Sequence, residues 1–334
     1  MSPHHTNAHQ PLRSRHVLIA GGAGFLGSHI CDRLLDVGAD VTVVDNLATG
    51  RAGNVEHLVG TPGFRMIRAD IATAALAVPW PVDYVMNLAS PASPVDYLRL
   101  PIETLEAGSL GTCWALRLAV RKQARLLLTS TSEVYGDPKV HPQPESYWGN
   151  VNPIGPRSVY DEAKRFAEAI TIAYHRVHGV SVGIARVFNV YGPRMRCDDG
   201  RVVPAFMDSA LRDEPLPVHG TGRQTRSLCY VDDMVEGLLR LLVADCTGPV
   251  NLGNPHEVTM LELADEVQAI VGRHPGIRHL PPMTDDPRCR CPDTALARRL
   301  LGWRAETPLR QGLARTAQWF RETVAGTQAF TAAG

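Results

Sequence analysis

Residues 16–27 read HVLIAGGAGFLG, an apolar run followed by glycines at positions 21, 24 and 27 in the spacing GxxGxxG. The run is typical of a buried strand, and the glycines predict a turn that opens a helix. Glycine lets backbone amides approach a pyrophosphate at a helix N-terminus, where the helix dipole favours negative charge. The stretch therefore predicts a nucleotide-binding strand–turn–helix unit.

A carboxylate stands at the end of the next predicted strand, residues 41–45. Asp45 lies 18 residues after Gly27. A carboxylate in this place hydrogen-bonds ribose hydroxyls and repels a 2′-phosphate, so the sequence favours NAD over NADP. Asp70 follows another apolar run and is expected to cap the adenine edge.

Apolar runs alternate with amphipathic stretches through the first half of the chain. Strands are predicted at residues 17–20, 41–45, 64–69, 82–88, 125–129 and 181–188. Helices are predicted at residues 101–121, 156–177, 232–242, 259–271 and 308–321. This alternation predicts an α/β protein with a Rossmann-type, doubly wound parallel sheet.

Segments shorten after residue 190, which indicates a smaller, mostly C-terminal α/β part that binds the substrate. The predicted organisation is a flexible tail at 1–15 and a Rossmann domain at 16–190, with a return segment at about 228–256. The substrate-binding part then covers 191–227 and 257–325, and a second tail covers 326–334.

The composition excludes several classes of protein. Lys+Arg and Asp+Glu are both 34, so the formal net charge is zero, whereas domains that bind nucleic acids are usually basic. No stretch approaches the ~18–20 apolar residues of a membrane span. The seven cysteines are scattered and follow no secretory signal, so reduced thiols and a cytoplasmic location are expected. Cys289 and Cys291 lack a second His/Cys pair at metal spacing, so no metal is expected.

Tyr160 and Lys164 lie one helical turn apart on the predicted helix 156–177. An ammonium beside a phenol favours the phenolate, so Lys164 is expected to lower the pKa of Tyr160. Such a phenolate takes a proton from a sugar hydroxyl as hydride leaves for NAD. The chain has only three lysines beside 31 arginines. With the glycine spacing, this pair resembles the extended short-chain dehydrogenase/reductase superfamily.

Further stretches narrow the resemblance to the UDP-glucuronate decarboxylases (UDP-xylose synthases). They are NLASPASP (87–94), TSTSEVYGDP (129–138), YWG (147–149), VNPIGPR (151–157), GPRM (192–195), DGRVV (199–203), QTR (224–226), NLGNP (251–255) and DDP (285–287). The match runs from about His16 to Phe320. The chain departs from the family at four positions, where it has Asn87, Val190, Cys289 and Cys291.

The resemblance implies a carboxy-lyase that oxidises C4 of UDP-glucuronate with NAD, loses carbon dioxide and returns the hydride to give UDP-xylose. It makes Tyr160 the base, assisted by Lys164 and Thr131. It implies that Ser132 and Glu133 handle the C5 carboxylate and the proton transfer. It also implies that Arg290 binds the carboxylate or the diphosphate. Related dehydratases have Asp-Glu after the threonine, so Ser132-Glu133 disfavours dehydration.

The resemblance also carries over a set of binding residues. The cofactor set is Gly21, Gly24, Phe25, Leu26, Gly27, Asp45, Asn46, Thr49, Gly50, Asp70, Ile71, Leu88, Ser90, Tyr160, Lys164, Val190 and Arg196. The substrate set is Pro91, Glu133, Asn189, Arg201, Val202, Arg226 and Arg290. Helices 101–121 and 156–177 resemble the pair that forms a four-helix homodimer interface in this superfamily.

Two alternatives stay open. A UDP-sugar 4-epimerase would share NAD, Tyr160 and Lys164, although Ser132-Glu133 and Arg290 favour the decarboxylase. An inactive nucleotide-binding scaffold is disfavoured because Thr131, Tyr160 and Lys164 are all present.

Overall fold

A parallel sheet of seven strands lies at the centre of the computed structural model, which describes residues 9–74, 76–282 and 289–332. The strands of the chain are β1 (His16–Ala20), β2 (Asp40–Asp45), β3 (Phe64–Arg68), β4 (Tyr84–Asn87), β5 (Arg125–Thr131), β6 (Val182–Val187), β7 (Val190–Tyr191), β8 (Leu216–His219), β9 (Thr225–Ser227), β10 (Cys229–Tyr230), β11 (Pro249–Leu252), β12 (Glu257–Thr259) and β13 (Ile277–Leu280). The helices are α1 (Phe25–Asp36), α2 (Pro94–Arg99), α3 (Pro101–Glu106), α4 (Thr112–Lys122), α5 (Ser158–His178), α6 (Val202–Leu211), α7 (Val231–Val243), α8 (Met260–Val271), α9 (Ala295–Leu301) and α10 (Leu309–Ala332).

The strand order in the central sheet is β3-β2-β1-β4-β5-β6-β11. In register, Ala20 of β1 lies between Val44 of β2 and Asn87 of β4. The direction of winding reverses between β1 and β4, which opens a crevice at the carboxyl ends of these strands. This confirms the predicted Rossmann-type α/β class.

Alternate residues of β1 pack on opposite faces of the sheet. Val17 and Ile19 belong to the apolar layer that includes residues of α1 and α7, whereas Leu18 and Ala20 belong to the layer that includes residues of α4. All four are fully buried, so the strand carries the unbroken apolar run of a strand covered on both sides.

Smaller sheets cover the crevice. β8 pairs with β13, β9 with β12, and β7 with β10. β11 returns to the central sheet beside β6, and α7 packs on α1. Residues after β6 therefore contribute both to the covering part and to the sheet.

The predicted helix 101–121 is interrupted. α3 is followed by a π-helical turn, Ala107–Gly111, before α4 begins. The turn passes close to α5, because a Cβ on Gly108 would lie 2.6 Å from Cβ of Ala163. Glycine at this position thus lets the two helices approach.

The chain ends differ from the predicted tails. The ring of His9 is 2% exposed, and its Nε2 lies 2.8 Å from Oε2 of Glu236 on α7. Leu12 is fully buried in the core. The prediction of a tail over 1–15 is therefore wrong from His9 onward, because an ion partner and an apolar anchor hold this stretch. At the other end, α10 continues to Ala332, through most of the predicted tail 326–334.

None of the helices in the described ranges combines the length and apolar character that crossing a bilayer requires.

Candidate active site

A cavity of about 650 Å³ opens at the crevice between β1 and β4. Every residue that the sequence analysis assigned to catalysis, cofactor or substrate contributes to its lining. Residues from the first 71 positions form one end, and residues from the covering part form the other. The structure thus brings the two predicted sets together, while the role of each residue stays a prediction.

The glycine turn leads into α1 and passes close to the segment that follows β4. Gly21 has φ +81°, and a Cβ there would lie 2.8 Å from the backbone nitrogen of Ala89. Gly24 is the N-cap of α1, and no side chain in the described part of the chain caps the helix. The first-turn amides of α1 are therefore available to an anion, as a dinucleotide pyrophosphate requires.

Asp45 holds the turn in place. Its Oδ2 accepts a hydrogen bond from the amide of Ala23 at 2.9 Å, and its Oδ1 accepts one from Leu47 at 2.8 Å. Burial raises the pKa of Asp45, although these two hydrogen bonds act to lower it. Each carboxylate oxygen keeps a second lone pair, so the side chain can still accept a ribose hydroxyl.

Asp70 is committed to its neighbours in the same way. Its Oδ2 accepts from Nδ2 of Asn46 at 2.8 Å, and its Oδ1 accepts from the amide of Ala72 at 2.8 Å. The carboxylate thereby fixes the side chain of Asn46 at the cavity wall.

The predicted base lies on α5 at the middle of the cavity. The side chain of Thr131, at the end of β5, faces the same part of the cavity and acts to lower the pKa of the Tyr160 hydroxyl. The ring of Tyr160 stacks on Tyr97 with centroids 5.3 Å apart and planes at 7°. Lys164 Nζ lies 5.8 Å from the centroid of the Tyr160 ring and donates to the carbonyl of Thr129 at 2.9 Å.

The expectation of a lowered phenol pKa is wrong for the chain by itself. Burial, followed by the charge of Glu133, raises the pKa of Tyr160 to about 12. Burial also lowers the pKa of the Lys164 ammonium to about 8. Both groups are removed from water, and the ammonium is bonded to a carbonyl rather than to the phenol.

Two guanidinium groups hold the carboxylate of Glu133. Arg290 pairs with both of its oxygens, with Nη2 at 2.8 Å from Oε2, and Arg157 Nη2 lies 2.8 Å from the same Oε2. Burial opposes ionisation of Glu133, but Arg290 and Arg157 outweigh it and hold the pKa at about 2. We call Glu133, Arg157 and Arg290 the carboxylate clamp.

The clamp changes the interpretation of Arg290. The sequence assigns Arg290 to the substrate carboxylate or diphosphate, whereas in the structure its guanidinium fork faces Glu133. Arg290 is 3% exposed, so its guanidinium group is buried within the protein. Arg157 is a member that sequence reasoning missed, although it ends the stretch VNPIGPR.

Arginines and a helix N-terminus line the substrate end. The amide of Arg201 donates to Asp199 Oδ1 at 2.9 Å, and α6 begins at the next residue with no side-chain cap among the described residues. Arg226 is buried and donates to the carbonyl of Thr225 at 2.8 Å. Ser132, Pro91 and Asn189 complete this wall.

Arg196 is less open to a ligand than the sequence implies. Its Nη2 lies 2.9 and 2.8 Å from the two oxygens of Asp96 on α2. Asp96 and the neighbouring Tyr97 were both missed, because nothing in the local sequence marks a residue that acts by pairing with a distant one.

Comparison with known protein families identifies the family of this chain. The sequence pattern of the NAD dependent epimerase/dehydratase family matches residues 17–253, from β1 to just beyond β11. The chain belongs to this family.

Relatives within the NAD dependent epimerase/dehydratase family are close. The chain is 54% identical over 312 residues to UDP-glucuronic acid decarboxylase 4 of Arabidopsis thaliana, covering 93% of this chain and 70% of the relative. This confirms the predicted resemblance to the decarboxylases.

Solved structures share the fold at lower identity. The dTDP-glucose 4,6-dehydratase of Streptomyces venezuelae with NAD bound is 30% identical, with TM-score 0.83, over 92% of this chain and 97% of that one. A UDP-glucuronic acid 4-epimerase mutant from Bacillus cereus, in complex with UDP-4-deoxy-4-fluoro-glucuronic acid and NAD, is 26% identical, with TM-score 0.83, over 92% and 99%.

Proposed function

We propose that this protein decarboxylates UDP-glucuronate to UDP-xylose and recycles NAD within each turnover. The observation that carries the proposal is the 54% identity to a UDP-glucuronic acid decarboxylase over 93% of the chain. The carboxylate clamp beside Tyr160 and Thr131 supplies chemistry that fits it.

The nucleotide end of the cavity fits NAD. Gly21 lets the turn pass against the backbone of Ala89, the first turn of α1 is uncapped among the described residues, and Asp45 disfavours a 2′-phosphate. When bound, NAD supplies the acceptor and later the donor of the C4 hydride, and a positive charge that favours the phenolate of Tyr160.

The first step is oxidation at C4. The proton of the C4 hydroxyl passes to the phenolate of Tyr160, while Thr131 hydrogen-bonds the same oxygen. Lys164 stabilises the phenolate by its charge, since its Nζ lies within 6 Å of the ring. The product of this step is a 4-keto sugar.

The second step is loss of carbon dioxide. The C5 carboxylate is now β to a ketone, so its bond to C5 breaks and the electron pair moves to the C4 oxygen as an enolate. The hydroxyls of Tyr160 and Thr131 donate to that oxygen and stabilise the developing charge.

The third step returns a proton to C5. The clamp keeps Glu133 ionised, and an ionised carboxylate only accepts hydrogen bonds. Glu133 therefore acts by orienting a water molecule or the hydroxyl of Ser132, whose proton goes to C5 and is replaced from solvent. Reduction at C4, with the Tyr160 hydroxyl returning its proton to the C4 oxygen, then completes UDP-xylose.

The opposite end holds the UDP. Arg201, Arg226 and the uncapped first turn of α6, which begins at Val202, are the groups that suit a diphosphate. A protein of zero net charge can bind the trianion UDP-glucuronate because the positive groups are gathered at this end of the cavity.

One incubation separates the candidate reactions. Purified protein is given UDP-glucuronate and NAD, and the products are followed by mass spectrometry. A product lighter by one carbon dioxide, with no accumulation of NADH, supports the decarboxylase. An isomer of unchanged mass would support a 4-epimerase instead, and no turnover would support a scaffold.

We further propose that two copies pair through α2–α5. Apolar side chains on these elements are exposed in the single chain: Val95, Leu98, Ile102, Leu105, Leu110 and Phe166. α2, α3 and α5 contact one another, and exposed apolar surface of this extent marks an interaction site. A second copy related by twofold symmetry would cover it.

Light scattering at micromolar concentration tests the pairing. We expect a dimer for the wild-type chain and a monomer for L98E/I102E, because two buried carboxylates oppose the interface. V59E is the matched control, since Val59 is 70% exposed and lies outside α2–α5. A dimeric double variant would contradict the assignment.

We place the reaction in the cytoplasm, as the sequence predicts. All seven cysteines are free thiols, which suits a reducing compartment. Fractionation that recovers the chain from an oxidising compartment would contradict this.

A further inference from the structure

A group of metal-capable side chains lies behind the carboxylate clamp, outside the cavity lining. His141, Glu257 and Cys291 each offer one ligand atom, and these atoms all lie within 4.8 Å of one another. His141 Nε2 is 2.9 Å from Glu257 Oε2. The three residues come from a loop, from β12 and from the segment that carries Arg290, so only the fold brings them together.

Neighbouring groups already hold these ligands in position. Oγ1 of Thr225 donates to Glu257 Oε1 at 2.5 Å, which leaves Oε2 turned toward His141. The amide of Cys291 donates to Oε1 of Gln143, and the amide of Gln143 donates to the carbonyl of Cys291, both at 2.9 Å. Outer partners of this kind orient the ligands of metal sites.

The segment that carries Cys291 also carries Arg290. Pro292 forms a parallel β-bridge with Gln143, which joins this segment to the loop of His141. Arg290 pairs with Glu133 in the clamp, whereas Cys291 lies with His141 and Glu257. Cys289, two residues before Cys291, is not among the residues whose ligand atoms lie within 4.8 Å of one another.

We propose that His141, Glu257 and Cys291 bind one divalent cation of the zinc class, with a water molecule as the fourth ligand. Zn²⁺ takes nitrogen, oxygen and sulfur ligands in a tetrahedron with bonds of ~2.0–2.3 Å, so ligand atoms this close need only a small inward movement. Binding replaces the proton of the Cys291 thiol, which passes to solvent. The cation ties the Arg290 segment to the loop of His141 and takes no part in the reaction at C4.

The sequence analysis predicts no metal here, because Cys289 and Cys291 have no His/Cys pair at regular spacing. Their partners are a histidine far upstream and a glutamate on another strand. Both cysteines are among the departures from the decarboxylase pattern, so the site belongs to this chain rather than to the family as a whole.

Cobalt titration tests the proposal directly. The full chain is kept reduced with a phosphine and carries H4A/H5A, which removes competing histidines near the N-terminus. We expect one equivalent of Co²⁺ with thiolate-to-cobalt absorption, displaced by Zn²⁺. C291S and H141Q should abolish it, whereas C289S, two residues from Cys291, and C113S, on α4, should leave it unchanged.

A second readout separates loss of the site from loss of the fold. Zn²⁺ should raise the Tm of the parent and protect the amides of residues 289–291 and 293 from hydrogen exchange, with neither effect in C291S or H141Q. Absence of thiolate absorption in the parent, or full retention in C291S, would overturn the proposal.

Discussion

The two ends of the cavity are assembled in different ways. The nucleotide end comes mainly from one stretch of chain, in which Gly21, Asp45 and Asp70 lie at the carboxyl ends of three successive strands of the sheet. The substrate end joins Glu133 after β5, Arg157 before α5 and Arg290 near the C-terminus. The first end depends on local turns, whereas the second depends on long-range pairing of charges.

Where the ends meet, Tyr160→Phe should have the largest effect. Removing the hydroxyl leaves no base for the C4 proton, and general base catalysis contributes ~10²–10⁴-fold. We expect kcat to fall by about that factor while both ends keep their ligands. Stopped-assay kinetics and calorimetric titration of UDP measure the two quantities, and near-normal turnover would remove Tyr160 as the base.

Glu133→Gln breaks the long-range end. The variant leaves Arg290 buried without its ion partner, and breaking a buried pair costs ~3–5 kcal/mol. Chemical denaturation should show a loss of this order. Glu162→Gln is the control, because the Glu162–Arg165 pair is exposed and is worth at most ~1 kcal/mol.

Acid should weaken the same clamp. The pKa of Glu133 is held at about 2, below the ordinary value of 4.5. Its stabilisation is thus fully present above pH 4.5 and is lost as the pH falls toward 2. Between these pH values, the free energy of unfolding should fall more steeply with decreasing pH in the wild type than in Glu133→Gln. An equal pH dependence in the two proteins would contradict the clamp.

Gly21→Ala breaks the local end. A Cβ there meets the backbone of Ala89 at 2.8 Å, in addition to the strain of φ +81°. Gly60→Ala is the matched control, since Gly60 has φ +87° and nothing within 4 Å. We expect both variants to lose ~1–3 kcal/mol from strain, but only Gly21→Ala to lose NAD affinity. Equal NAD affinity in the two variants would contradict the assignment of the glycine turn to NAD binding.

The smallest expected effect concerns Lys164, whose ionisation should appear as one limb of the pH profile of kcat/KM. Burial lowers its pKa to about 8, so kcat/KM should decline as the pH rises through that value and the ammonium is lost. Lys164→Arg should move this limb upward at a lower rate, and Lys139→Arg, which is exposed, should not move it. A limb that stays in place in Lys164→Arg would assign it to another group.

The difference between the ends also explains what the sequence can predict. The glycine turn, Asp45 and the Tyr160–Lys164 pair can be predicted because their residues stand at characteristic spacings within short stretches of sequence. The partnership of Arg157, Glu133 and Arg290 is not, since it depends on where loops far apart in sequence meet. The pKa of Tyr160 was mispredicted for the same reason, because its burial and the charge of Glu133 are tertiary effects.

Turnover of UDP-glucuronate in D₂O tests the central claim most directly. Loss of carbon dioxide leaves an enolate that takes one solvent proton at C5, while the C4 hydrogen returns from the cofactor. NMR should therefore show UDP-xylose with one deuterium at C5, none at C4 and no net NADH. A product that retains its carboxylate would contradict the account.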